Sequence, residues 1–225
     1  MTIILTNDDG IDAPGIRALK QAVAESSIIV APCKQHSGCG HQVTTTGGIR
    51  IERRSNSEYA VDGTPADCTR LGITQIATDT KLVLSGINAG GNLGTDVYIS
   101  GTVAAVREAA MHGIPAIAIS HWIKHPLVIN WELATQWTVR VIKDLLSRPT
   151  PTGSYWNVNL PHLEPEQPEP QIILCQPSID PLPVNYKVDG ELYYYQGGYE
   201  TRDRQPGSDV DICFGGNIAV TQIKL

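Results

Sequence analysis

The sequence predicts an α/β protein built on a parallel sheet flanked by helices, with a C-terminal extension that carries a β-hairpin. Three observations lead there. Short aliphatic and β-branched runs at residues 3–6, 27–31, 81–85 and 116–120 read as buried strands. Helical stretches separate them, and the first strand, helix and strand fit within about 30 residues, the size of a βαβ unit. Beyond residue 149 prolines punctuate shorter runs, and Asp189-Gly190 reads as a hairpin turn between two tyrosine-bearing segments.

The first strand stops in Asn7-Asp8-Asp9-Gly10, residues that favour loops. Pro14 near a first turn, with Ile16, Leu19 and Val23 on one face, predicts a helix over 14–24. Pro32 closes the second strand, and residues 32–40 form the loop at its end. Alternation and β-branching over 43–62 predict short antiparallel strands beside the parallel sheet. Thr64, Pro65 and Asp67 read as N-cap, first helical position and first-turn acid of a helix running to about residue 73. Residues 86–102 carry five glycines and lead into a helix over 102–112, whose Ala104, Ala105, Ala109 and Ala110 suit close packing. A long amphipathic helix is expected over 129–147, and strands over 155–160, 171–175 and 217–223. The expected division is a core over 1–148 and a Pro-punctuated part over 149–225 that completes the sheet and adds the hairpin.

Composition narrows the function. A net charge of −6 without a Lys/Arg cluster argues against binding of a nucleic-acid polymer. No apolar run reaches the roughly 18 residues of a membrane span, and the first run ends too early for a secretory leader. The five cysteines are scattered, none in a C-x-x-C pair, as expected of reduced thiols in the cytoplasm.

Two loops carry the chemistry. Asp8 and Asp9 stand where a parallel strand ends, the edge at which open α/β sheets bind ligands. Adjacent carboxylates without a neighbouring Lys or Arg need a proton or a hard cation. The glycine-rich loop matches neither a Walker A motif nor G-x-G-x-x-G. It ends in Ser100-Gly101-Thr102, a helix start whose N–H groups and hydroxyls suit an anion. Three strand ends, after Thr6, Ala31 and Ser85, are expected to converge and bring Asp8 and Asp9 to Ser37 and Asn88. That oxygen-only set suits Mg²⁺ or Mn²⁺, and a cation beside an anion cradle suits phosphoryl hydrolysis. His36 is the histidine nearest this site along the chain.

These residues also match a family. Ile4-Leu-Thr-Asn-Asp-Asp-Gly-Ile11 with Ala13-Pro-Gly-Ile16, Gln35-His-Ser-Gly38, Val61-Asp-Gly-Thr-Pro-Ala-Asp-Cys68, Val83-Leu-Ser-Gly-Ile-Asn-Ala-Gly-Gly-Asn-Leu-Gly94 and Ser100-Gly-Thr-Val103 closely resemble the stationary-phase survival protein SurE family. The resemblance is dense over 3–120, returns at Asn157-Val-Asn-Leu-Pro161 and is thin from 162 to 205. It implies a metal-dependent phosphatase of nucleoside 5′- or 3′-monophosphates with one Mg²⁺ or Mn²⁺ per subunit. It further implies that Asp8, Asp9, Ser37 and Asn88 bind the metal, and that Asn92, Ser100, Gly101 and Thr102 surround the phosphate. The fold implied is Rossmann-like, with the C-terminal extension joining subunits into a homodimer or homotetramer. The expected nucleophile is a water activated on the cation, helped by Asp8 or Asp9, with attack by Asp8 itself ranked second. Ile99 stands where the family usually has Tyr, and Ala104-Ala105 where it often has Gly-Ala. The rival readings are a metal-dependent glycosyltransferase and a non-catalytic nucleotide sensor.

Overall fold

The computed structural model describes residues 1–164 and 166–225. A nine-stranded sheet forms its centre, in the order β3-β4-β2-β1-β5-β6-β7-β11-β8. The strands are β1 (Thr2–Thr6), β2 (Ser27–Pro32), β3 (Ile51–Arg53), β4 (Glu58–Val61), β5 (Thr80–Ala89), β6 (Ala116–His121), β7 (Ser154–Leu160), β8 (Ile172–Leu174) and β11 (Ile218–Lys224). From β4 through β2, β1, β5 and β6 to β7 every pairing is parallel, while β3 and β11 run antiparallel to their neighbours β4 and β7. The chain moves outward from β1 to β2 and β4, then returns to place β5 on the other side of β1. That reversal makes the gap between the carboxyl ends of β1 and β5 a topological switch point, where α/β sheets hold ligands.

Helices cover both faces. Ile3 and Leu5 of β1 point into one core, shared with Leu19 of α1 (Pro14–Ala22) and Trp137 and Val141 of α4 (Trp131–Leu146). Ile4 points into the opposite core, shared with Cys68 of α2 (Pro65–Leu71) and Val106 and Ala109 of α3 (Gly101–Met111). Burial of both faces explains why the parallel strands read as unbroken apolar runs rather than alternating ones. A third, smaller cluster lies under α5 (Asp209–Phe214), where Leu93, Trp122 and Val210 meet.

The expected N-terminus of α2 is present as a full capping box. The Thr64 hydroxyl accepts from the Asp67 N–H at 3.2 Å, and the Asp67 carboxylate accepts from the Thr64 N–H at 3.0 Å. The same carboxylate explains a correction. Residues 43–50 form no strand, because Asp67 takes the N–H of Thr44 at 2.9 Å and its hydroxyl at 2.8 Å. Side-chain tethering to a helix start thus replaces the expected ladder, and β4 joins β2 in parallel, leaving β3 alone antiparallel on that edge. β5 also runs past Ser85 to Ala89, so Asn88 lies on the strand's last turn of pleat rather than in the glycine loop. The hairpin is β9 (Tyr186–Asp189) with β10 (Leu192–Tyr195), a separate two-stranded sheet exposed along its length.

Beside α3, the Glu108 carboxylate is almost fully buried and touches His41 at 2.7 Å, Arg70 at 2.7 Å and His112 at 3.1 Å. Burial pushes its pKa up, but the hydrogen bonds from His41 and Arg70 outweigh it and bring the group down to about 2. A depressed carboxyl stabilises the fold fully above its unfolded value of 4.5 and ceases to do so as the pH falls towards 2. Unfolding by urea between pH 5 and pH 2.5 tests this. The wild type is expected to lose about 2–3 kcal/mol more than Glu108→Gln over that range, and parallel pH profiles would contradict the assignment.

Candidate functional site

The cleft at the switch point has a volume of about 230 Å³ and is lined by Asp8, Asp9, Ser37, Asn88, Asn92 and Ser100 among others. It thus gathers all four expected metal ligands and two of the four residues expected around a phosphate.

Asn7 sets the first loop. Its side chain is buried, donates to the Gly10 carbonyl at 2.8 Å and accepts from the Gly10 N–H at 3.2 Å, closing the turn that presents Asp8 and Asp9. The Asp9 carboxylate then accepts from the Ala89 N–H at 3.1 Å, which bridges the ends of β1 and β5. The His36 N–H donates to the Asp8 carbonyl at 2.7 Å and docks the loop after β2 on the same edge. Gln35 donates to the Ser37 hydroxyl at 2.7 Å, and Asn88 donates its amide N–H to the Gly90 carbonyl at 2.7 Å, leaving its Oδ1 free to face a ligand. His36 itself is not among the residues lining the cleft.

Two of the expected phosphate-loop residues take a supporting place. Thr102 is fully buried and its hydroxyl donates to Asp8 Oδ1 at 2.5 Å, so this hydroxyl faces the carboxylate and not the cleft. Gly101 packs so tightly that a Cβ would lie 2.9 Å from both the Asp8 Cβ and the Cys39 Sγ. Their effect is to press the N-terminus of α3 directly on Asp8. Ser100 caps that helix, accepting from the Val103 N–H at 3.1 Å, and its own hydroxyl proton remains available to the cleft.

Asn92 is held from below. Its N–H donates to Asn159 at 2.7 Å, its carbonyl accepts from Asn157 at 2.9 Å and Asn159 at 3.0 Å, and its amide donates to Ser120 at 2.8 Å. The sequence reading gave no role to Asn157, Asn159 or Ser120. Two asparagines two apart in an otherwise apolar strand were the available signal, since they share one face and a buried amide needs partners. Asp96 and Tyr199 also reach the cleft unannounced. Asp96 accepts from Arg202 at 2.7 Å, from Tyr199 at 2.8 Å and from the Leu93 N–H at 3.0 Å, tying the C-terminal part to the glycine loop.

Electrostatics set the chemistry. Burial raises Asp8 to about 6, the Thr102 hydroxyl pulling against it and the Asp9 charge adding to it. Burial also raises Asp9, opposed by the Ala89 N–H. Among the described residues no Lys or Arg pairs with either carboxylate. A buried and a half-buried acid with an amide oxygen and a hydroxyl form a hard oxygen set, and it fits a divalent cation of the Mg²⁺ or Mn²⁺ kind.

The packing at Gly101 is open to test. Replacing Gly by Ala within an exposed helix stabilises by about 1 kcal/mol. Gly101→Ala is expected to do the reverse and cost about 1–3 kcal/mol through overpacking against Asp8. Urea unfolding that showed the variant as stable as wild type would contradict the contact.

A family model described as survival protein SurE matches residues 3–178. A Nostoc protein that bears the name "Putative 5′-nucleotidase" is 63% identical, over the whole of both chains. The "5′-nucleotidase SurE" of Paramagnetospirillum magneticum is 38% identical, over 99% of this chain and 89% of its own. The crystal structure of the SurE protein from Aquifex aeolicus superposes with a TM-score of 0.87 at 34% identity, covering 100% of this chain and 93% of that one.

Proposed function

Because this chain belongs to the survival protein SurE family, we propose that it is a divalent-metal-dependent phosphomonoesterase that hydrolyses nucleoside 5′- or 3′-monophosphates. The observation that carries this reading is the pair of adjacent carboxylates, Asp8 buried and Asp9 half-buried, without a basic partner among the described residues and facing the N-terminus of a helix across one cleft.

Asp8, Asp9, Ser37 and Asn88 would hold one Mg²⁺ or Mn²⁺. Such a cation, when bound, neutralises phosphate charge and lowers the pKa of a coordinated water. Asp9 spans β1 and β5 and so keeps the ligand set together. Thr102 and the N-terminus of α3 favour the ionised form of Asp8 and oppose the effect of its burial. The Ser100 hydroxyl and the first N–H groups of α3 receive the phosphate oxygens and stabilise negative charge that grows on them. Asn92, clamped by Asn157, Asn159 and Ser120, keeps one position beside them.

Two further assignments belong to this reading. The exposed Val188, Leu192 and Tyr193 of the hairpin support its use as a contact between copies, in a homodimer or homotetramer. No helix among the described residues is long and apolar enough to cross a membrane. The free cysteines support a cytoplasmic location.

Phosphate release from nucleoside monophosphates, by protein stripped with chelator and resupplied with Mg²⁺ or Mn²⁺, tests the proposal. Turnover is expected only with metal present, and Asp9→Asn is expected to lower kcat/KM by roughly 100-fold or more while leaving the fold intact. Binding of monophosphate without turnover under any metal would favour the sensor reading instead.

A further inference from the structure

Ser37 has little of its own to hold it. It is exposed, and among the described residues its hydroxyl accepts from Gln35 alone, two residues away in the same loop. Gly38 and Gly40 beside it have φ of +70° and +56°, left-handed conformations that glycine adopts readily at the cost of a freer chain. A metal ligand on such a loop keeps its place only if the loop is fastened to the body of the protein. On one side the His36 N–H fastens it to the Asp8 carbonyl. On the other side the Gly40 N–H donates to the Ile99 carbonyl at 2.9 Å, and the His41 side chain reaches α3.

His41 is gripped on both ring nitrogens. Nε2 lies 2.7 Å from Oε2 of the buried Glu108, and Nδ1 lies 3.4 Å from Nη1 of Arg107. A carboxylate accepts and a guanidinium donates, so the ring donates from Nε2 and accepts at Nδ1. The Glu108 carboxylate is divided between its partners. Oε1 takes Arg70 and His112, while among the described residues Oε2 takes His41 alone. Arg107 also donates to the Val97 carbonyl at 2.6 Å and to the Tyr155 hydroxyl at 3.3 Å. Val97 stands three residues before Ser100. Two consecutive residues of α3 thus hold both loops that line the acidic cleft, the Ser37 loop through His41 and the glycine loop through Val97.

We propose that His41 is a positioning residue for metal binding, which docks the Ser37 loop on Arg107 and Glu108 and so keeps the Ser37 hydroxyl with Asp8, Asp9 and Asn88. This rests on the metal-dependent reading and deepens it. His41 is not among the residues lining the cleft, so its effect passes through the four residues between it and the ligand. The partners of Glu108 are then not equivalent. Arg70 and His112 compensate a buried charge and bear on stability, whereas His41 also carries the loop that supplies a ligand.

Mn²⁺ binding to chelator-stripped protein, followed by the paramagnetic resonance signal of the free ion, tests this without turnover. His41→Leu is expected to weaken Mn²⁺ binding by roughly 10–100-fold, the range for residues that orient a metal ligand. His41→Gln, whose amide N–H can stand in for Nε2–H towards Glu108, should restore most of the affinity. If His41→Leu does not fold, His41→Asn, whose shorter amide does not reach Glu108, takes its place. Arg70→Gln removes another partner of Glu108, and should lower the urea midpoint while leaving Mn²⁺ affinity unchanged. In a Ser37→Ala background the effect of the His41 substitution should vanish. Wild-type Mn²⁺ affinity in a folded His41→Leu or His41→Asn protein would overturn the proposal, as would the same loss with and without Ser37, or an equal loss in Arg70→Gln. The two readings fail in different ways. If Mn²⁺ binding depends on His41 yet the wild type hydrolyses no phosphate ester, the nucleotidase reading fails and the positioning role stands. If the wild type binds no Mn²⁺, the metal assignment and the positioning role fall together.

Discussion

Two neighbouring carboxylates cannot both leave water and keep their charge without compensation, and the surroundings of Asp8 and Asp9 are arranged around that demand. Burial is the larger cost at Asp8, and the charge of Asp9 adds to it. The hydroxyl of Thr102 and the N–H of Ala89 each return roughly 1.5–3 kcal/mol, the worth of a hydrogen bond to a charged group. The N-terminus of α3 adds up to about 2 kcal/mol more. These contributions oppose the desolvation of a charge as buried as Asp8 but do not cancel it, and its carboxyl stays raised to about 6. A lysine or arginine would close the deficit, and none pairs with either carboxylate among the described residues. What remains is an affinity for a cation.

The rest of the molecule holds that unsatisfied pair in place. Six parallel strands provide the edge, and the reversal of strand order between β1 and β5 opens the gap. The glycine loop returns over the sheet and is fastened by side chains from β6 and β7 beneath it. The C-terminal part contributes more than an appendage. Its β11 and β8 extend the central sheet, while Arg202 and Tyr199 converge on Asp96 in the loop. Arg202 and Asp96 are both nearly excluded from solvent, and removing either would strand the other's charge. One wall of the acidic cleft is therefore anchored by a buried ion pair far along the chain.

Much of this was legible in the sequence because the informative signals were local. The strand-then-acid pattern at residues 3–10, the capping residues at Thr64 to Asp67 and the helix start at Ser100 each depend on a few neighbouring residues. Asp8, Asp9, Ser37, Asn88, Asn92 and Ser100 were named from such stretches, and one cleft contains them all. What could not be read was set by distant partners. The threonine run at 44–46 has strand propensity, yet Asp67, more than 20 residues away, takes the bonds a ladder would need. Thr102 looked like a phosphate donor because nothing local shows that Asp8, 94 residues earlier, claims its hydroxyl. α5 is only six residues long and too short to display a helical period. Tyr199 lies where the family resemblance is thin, and only the fold brings it to Gly91.

The most direct test of the central claim is a crystal structure grown with Mn²⁺ and analysed by anomalous scattering at the manganese edge. A single strong peak per subunit is expected between Asp8, Asp9, Ser37 and Asn88, absent in Asp8→Asn crystals grown the same way. A peak at another site, or an empty cleft at saturating Mn²⁺ with both carboxylates ordered, would contradict it.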